Sequence, residues 1–157
     1  MANESATRSL RCVVVTPEKA VLDEAVDFVA VPMYDGELGV LPGRAPLIGR
    51  LGYGELRVVK GNETRRWYVD GGFVQIKNDV VTLLTSKAIP DEELSAEAAQ
   101  AALLEAQRPA GSPEAHEVQL KNQQRARAQL RMAAKAKEQA DLAALGSTAR
   151  RLAGAAH

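Results

Sequence analysis

Residues able to do covalent or acid–base chemistry are few in this chain, and they are scattered. The two histidines are His116, inside a helical pattern beside Glu117, and His157. Neither has a serine, cysteine or acid at a spacing that makes a nucleophile–base pair or a zinc site. The single cysteine, Cys12, sits in Leu10-Arg11-Cys12-Val13-Val14-Val15 and reads as a small core residue rather than a nucleophile. Gly71-Gly72 lacks the lysine and following helix of a phosphate loop, so it reads as a bulge or a close backbone approach. Trp67, Tyr68 and Asp70 could line a small-molecule pocket, but two adjacent aromatics in a β-branched run fit core and interface roles better. These residues give no catalytic set, no cofactor site and no metal site.

Charge is the chemistry that is patterned. From Glu92 to Glu117 there are six acids and one base, Arg108; from Lys121 to Lys137 there are six bases and no acid. Five of those bases, Lys121, Arg125, Arg127, Arg131 and Lys135, fall within an arc of roughly 160° on a helix, with Lys137 outside it. Such a helix fits along an acidic surface, or is simply a solvated face neutralised by its acidic neighbour. The second signal is Asp35 to Ile48, where Asp-Gly and Pro-Gly pairs predict two tight corners around a short strand, with Asp35 and Glu37 at an exposed tip.

The elements that must position these charges divide at Ala88-Ile89-Pro90. Nine of the twelve glycines and all aromatics lie before it, while alanine dominates after it. The first half alternates short β-branched runs with Gly, Asn, Asp and Pro, predicting an antiparallel β-sandwich over 10–88 behind a frayed segment 1–9. Strands are expected at Leu10–Thr16, Ala20–Asp23, Ala25–Val31, Gly54–Lys60, Arg65–Val69, Phe73–Lys77 and Val80–Thr85. The second half, 89–157, predicts an antiparallel two-helix hairpin, giving an α+β chain. Its first helix is expected over Asp91–Gln107, with Leu94, Ala98, Ala101, Ala102 and Glu105 along one side. Ser112 caps the second, which runs toward Gly146 with Ala126, Leu130, Ala133, Ala140 and Ala144 as its contact face. Twenty basic and twenty acidic residues cancel, so no global field favours nucleic acid, and the hairpin lacks aromatics to stack bases. An adaptor binding an acidic protein or RNA is the competing reading. No apolar run is long enough to span a membrane and no secretory leader is expected.

Two strings resemble the N-terminal domain of the epsilon subunit of bacterial rotary ATP synthases. Gly36-Glu37-Leu38-Gly39-Val40-Leu41-Pro42-Gly43-Arg44-Ala45-Pro46-Leu47 is similar to the family pattern G-E-L-G-[IV]-[LY]-P-G-H-x-P-L, with Arg44 in place of the histidine. Val69-Asp70-Gly71-Gly72-Phe73-Val74-Gln75-Ile76 is similar to its second pattern, [SV]-x-G-G-[FI]-x-[EQ]-V. The resemblance implies a non-catalytic central-stalk subunit of a proton-translocating enzyme, docked on the gamma subunit and touching the polar loops of the c-ring through Glu37, Asp35 and Arg44. It implies peripheral attachment, through the complex alone, on the cytoplasmic side of a bacterial inner membrane. Ala126-Arg127-Ala128-Gln129-Leu130-Arg131 is similar to a family A-x-A-Q-L-R stretch. This implies that Lys121, Arg125, Arg127, Arg131 and Lys135 meet an acidic helix-turn-helix of the catalytic beta subunit and inhibit hydrolysis. The family's nucleotide-binding pattern [IL]-D-x-x-R-A falls on Leu94-Ser95-Ala96-Glu97-Ala98-Ala99. Ser95 and Ala98 remove its charged groups, so no ATP binding is expected.

Overall fold

The computed structural model describes residues 9–155, so His157 and all but Ser9 of the segment expected to fray lie outside it. Two compact units divide the chain, Met1–Glu93 and Leu94–His157.

The first unit holds eight strands among the described residues: β1 (Leu10–Val15), β2 (Ala20–Val26), β3 (Phe28–Met33), β4 (Gly36–Val40), β5 (Leu47–Lys60), β6 (Glu63–Lys77), β7 (Val80–Leu84) and β8 (Ala88–Pro90). They run β2-β1-β7-β6-β5-β3-β4 across a sheet folded into a sandwich, with β8 paired to β6. Alternation along the strands sends every second apolar residue inward. Leu10, Cys12, Val14, Val29, Val31, Leu56, Val58, Trp67, Val69, Val74, Ile76, Val81 and Leu83 all join one core.

β5 begins at Leu47 rather than Gly54, β8 is additional to the expected strands, and three further features differ from the expected pattern. One strand pair, β1 with β7, is parallel (Arg11↔Val80 to Val15↔Leu84), because β1 is inserted between its hairpin partner β2 and β7. The runs Arg65–Val69 and Phe73–Lys77 are one strand, which pairs with β8 through Trp67–Val69 and with β7 from Phe73 onward. The change of partner falls at Gly71-Gly72, which do not break the strand. Gly72 has φ +112°, and a Cβ there would stand 1.9 Å from the carbonyl oxygen of Leu84, so this is a close backbone approach. Finally, one hairpin turn is tighter than expected, since Gly61-Asn62 alone joins β5 to β6. The turn between β6 and β7 falls at Asn78 and Asp79, as the expected strands leave it, and their φ of 52° and 61° matches it to strand twist.

A 3-10 turn, Asp91–Glu93, ends this unit. The second unit has α1 (Ala96–Ala106) and α2 (Pro113–Ala155). The Ser95 hydroxyl accepts from the Ala98 amide at 3.2 Å and the Ser112 hydroxyl from the Ala115 amide at 3.1 Å, so each helix starts at a serine cap. Leu94 therefore precedes α1, and a helical phase counted from it is wrong. The inward side of α1 is Ala99, Leu103 and Ala106, while Ala98, Ala101, Ala102 and Glu105 are exposed. The Gln123 side chain donates to the Ala106 carbonyl at 2.9 Å, tying α2 to the end of α1. On α2, Ala126 is buried, Leu130 and Ala133 are half-buried, and Ala140 and Ala144 are exposed. An α1 of 11 residues covers only about 16 Å of its neighbour, so it cannot reach the far turns of a 43-residue helix.

Candidate docking surfaces

The first surface is the tip that opens β4. Tyr34 and Asp35 form the turn from β3, and Glu37 stands opposite Pro32 on β4, an outermost strand of the sheet. Edge strands are protected from unwanted pairing when they are short, glycine-containing and charged, as β4 is. Glu37 Oε1 lies 3.6 Å from an Arg57 guanidinium nitrogen, with 59% and 35% of the two side chains exposed. That is a loose, wet ion pair whose carboxylate can still meet another cation. The Arg50 guanidinium stacks over the Tyr34 ring at 4.9 Å. Arg57 and Arg50 escaped the sequence reading, although the alternation through Glu55-Leu56-Arg57 put Arg57 on an outward face. Arg44 is exposed but lies beyond the other end of β4, in a connection fixed by the Gly43 amide donating to Asp79 Oδ1 at 2.7 Å. The structure thus brings Asp35 and Glu37 together and leaves Arg44 apart along the strand.

The second surface is the basic arc of α2. Lys121, Arg127, Arg131 and Lys135 are exposed; Arg125 is half-buried and donates to Asn122 Oδ1 at 2.9 Å. Ala128 and Met132 are buried and fall inside this arc. They lie on either side of the line of Lys121 and separate Arg125 from Arg127, Arg131 and Lys135. The sequence reading missed this seam because alanine and one methionine among arginines carry no strong periodic signal.

The residues that might have carried other chemistry are engaged in the fold. Cys12 is fully buried, and burial pushes its thiol up to about 12. Trp67 is a core residue with Arg65 over its ring at 5.3 Å. The Tyr68 hydroxyl donates to Asp70 Oδ1 at 2.7 Å, the Ser86 hydroxyl lies 3.1 Å from Asp70 Oδ2, and the Asp70 amide lies 3.2 Å from the Lys87 carbonyl. Asp70 thereby clamps the connection between β7 and β8. Between β1 and the edge strand β2, Arg11 forks onto Asp23 at 2.7 and 3.0 Å and holds its carboxyl below the usual range. Among the described residues no three His, Cys, Asp or Glu side chains group closely enough to hold a metal. His116 is exposed on α2.

A charged β-sandwich carrying a long helical arm defines a class. Residues 9–91 match the family model for the β-sandwich domain of the ATP synthase delta/epsilon chain. The ATP synthase epsilon chain of Rhodopirellula baltica is 52% identical over 124 residues, 78% of this chain and 97% of the relative. That of Desulforamulus reducens is 42% identical over 95 residues, 60% of this chain and 72% of the relative. A chain of the Euglena gracilis mitochondrial ATP synthase assembly of OSCP, F1 and c-ring superposes with a TM-score of 0.68 at 25% identity, covering 83% of this chain and 81% of its own. One from the central stalk and c-ring of the Tetrahymena thermophila enzyme, at 12% identity and TM-score 0.62, shares the fold. The chain belongs to the ATP synthase epsilon chain family.

Proposed function

We propose that this chain is a non-catalytic rotor subunit in the central stalk of a proton-translocating ATP synthase. The observation that carries this reading is identity of 52% across 97% of the length of an epsilon chain. In this role the sandwich docks on the gamma subunit, and the Asp35–Glu37 tip meets the polar loops of the c-ring, coupling ring rotation to the catalytic head. An exposed carboxylate on a short edge strand suits a cationic loop. Arg44, beyond the other end of β4, requires its own partner on the same ring. The basic arc of α2 lies along an acidic helix-turn-helix of the catalytic beta subunit and restrains hydrolysis. Each exposed pair is worth only about 0.2–1 kcal/mol, so Arg127, Arg131 and Lys135 act together with Lys121 and Arg125. Among the described residues no helix is long and apolar enough to cross a membrane. The proposed attachment is peripheral, on the cytoplasmic side of a bacterial inner membrane, through the complex alone.

The test is ATP hydrolysis by the reconstituted catalytic head with the full chain and with a chain ending at Glu93. That cut preserves β8 and its pairing with Trp67–Val69. Released hydrolysis with the sandwich still bound supports both roles. Unchanged hydrolysis with the sandwich bound removes the inhibitory role and keeps the rotor role. Failure of both forms to bind the head removes the assignment to the stalk.

A further inference from the structure

The chain holds two Asp-Gly pairs, Asp35-Gly36 and Asp70-Gly71, and folding gives them opposite surroundings. In such a pair the aspartyl carboxyl is open to attack by the following main-chain nitrogen, because glycine puts no Cβ in the way. Attack requires the Cα–Cβ and Cα–C bonds of the aspartate to turn until Cγ meets that nitrogen.

At Asp70 both rotations are blocked. Its Oδ1 accepts from the Tyr68 hydroxyl at 2.7 Å, and the Ser86 hydroxyl lies 3.1 Å from Oδ2 and 3.0 Å from the Asp70 main-chain oxygen. Ser86 thus ties the side chain of Asp70 to its main chain and fixes one against the other. Asp70 also stands within β6 opposite Tyr53, and a Cβ on Gly71 would touch the Tyr53 ring at 3.5 Å.

At Asp35 neither rotation is held. Tyr34, Asp35 and Gly36 are exposed, and among the described residues no hydrogen bond or ion pair holds the Asp35 carboxylate. A Cβ on Gly36 would meet nothing within 4 Å. β4 ends the sheet, and Met33↔Gly36 is the last pair of its ladder with β3, so the turn can open without disturbing the core.

We propose that Asp35-Gly36 is a site of spontaneous main-chain rearrangement, which turns Asp35 into isoaspartate as the chain ages. The Gly36 nitrogen bonds to Asp35 Cγ, and its proton leaves with the carboxyl hydroxyl as water. The five-membered imide so formed takes one water back. Opening at the former side-chain carbonyl restores aspartate, whereas opening at the main-chain carbonyl leaves the chain running through Cγ. No electrons are exchanged, and the sum is an isomerisation. The negative charge survives, but one methylene enters the main chain and displaces the pairing of Met33 with Gly36 and of Pro32 with Glu37. Glu37 then moves relative to Arg57, its partner at 3.6 Å. An effect on coupling rests on the reading of this tip as the c-ring contact; the rearrangement itself does not.

The full chain is incubated at neutral pH, folded and in urea, and isoaspartate is located by peptide mapping with electron-transfer fragmentation. In the folded chain it is expected at residue 35 at least about tenfold faster than at residue 70, since ring closure at Asp70 must first break its hydrogen bonds. In urea the two sites should react at similar rates, and Asp35→Glu, which would have to close a larger ring, should carry no such product. No isoaspartate at residue 35 of the folded chain, or equal rates at the two sites, overturns the proposal. A gap of the same size in urea overturns it too. Proton pumping driven by ATP is then compared for the reconstituted whole enzyme with fresh and with aged chain. A fall in proportion to the isoaspartate fraction, absent when aged Asp35→Glu is compared with its own fresh form, supports an effect on coupling. Unchanged pumping by a chain rich in isoaspartate overturns the part given to this tip in coupling and leaves the modification standing.

Discussion

Gly72 shows how much of this fold can depend on one missing methyl group. Its φ of +112° is a region that side-chain-bearing residues rarely adopt, and the place a Cβ would take is occupied by the Leu84 carbonyl. Relief would require β7 to move away from β6, where Phe73 pairs with Leu84 and Val74 with Leu83. Gly72→Ala is therefore expected to cost about 3 kcal/mol or more, read as a lower urea midpoint at constant slope. Cys12 makes a second prediction at this scale. Its folded thiol titrates at about 12 against an ordinary 9.0, because burial disfavours the thiolate. Above pH 9 the unfolded chain loses this proton and the folded chain keeps it, so the folded state binds more protons and stability falls with rising pH. Below the ordinary value the contribution is present in full, and it is lost as pH rises through 12. Urea midpoints from pH 8 to 11 should decline more steeply for the native chain than for Cys12→Ala, and iodoacetamide should label Cys12 only under unfolding conditions.

At the scale of elements, the helix starts are the clearest dependence on single side chains. Ser95 and Ser112 each satisfy an amide that the first helical turn leaves open. Replacing either with alanine should remove about 1 kcal/mol from its helix, seen as earlier loss of ellipticity at 222 nm. The sequence made these elements legible to different degrees. Ser112-Pro113 announced the start of α2 because a capping hydroxyl and a fixed φ act within two residues. Ser95 was hidden by the acids Asp91, Glu92 and Glu93, which resemble a helical first turn but close a 3-10 turn instead. Strands with turn chemistry at their ends were readable; the continuity of β6 was not, since glycines look alike in a turn and in a strand passing close to another backbone. Of the proposed contacts, the Asp35–Glu37 tip was readable from local turn residues, whereas the loose pairing of Glu37 with Arg57 reaches across β3 to β5, 20 residues further along the chain. The burial of Ala128 and Met132 inside the basic arc is a tertiary fact with no local signature.

At the scale of the whole molecule, the two units differ in what holds them. The sandwich has one contiguous core of valine, leucine and isoleucine around Trp67, within the unit Met1–Glu93. The helical unit buries mainly alanine and one methionine, and each alanine removes little apolar area from water at about 25 cal/mol per Å². From Lys137 to Gly154 its long helix buries nothing, and a free helix of some 18 residues is marginal in water. Stability should therefore be graded along the chain rather than shared. In native-state hydrogen exchange, amides of Lys137–Gly154 should exchange fastest among helical residues, those of Ala126–Met132 more slowly, and those of Val74, Ile76, Val81 and Leu83 slowest, with the chain's full unfolding free energy. A chain ending at Glu93 should keep the same protection on those strand amides. Uniform protection through α2 up to Gly154 would mean that the arm is held as firmly as the sandwich. An arm so held could not be released to reach the head, and the regulatory role proposed for it would fall with that result.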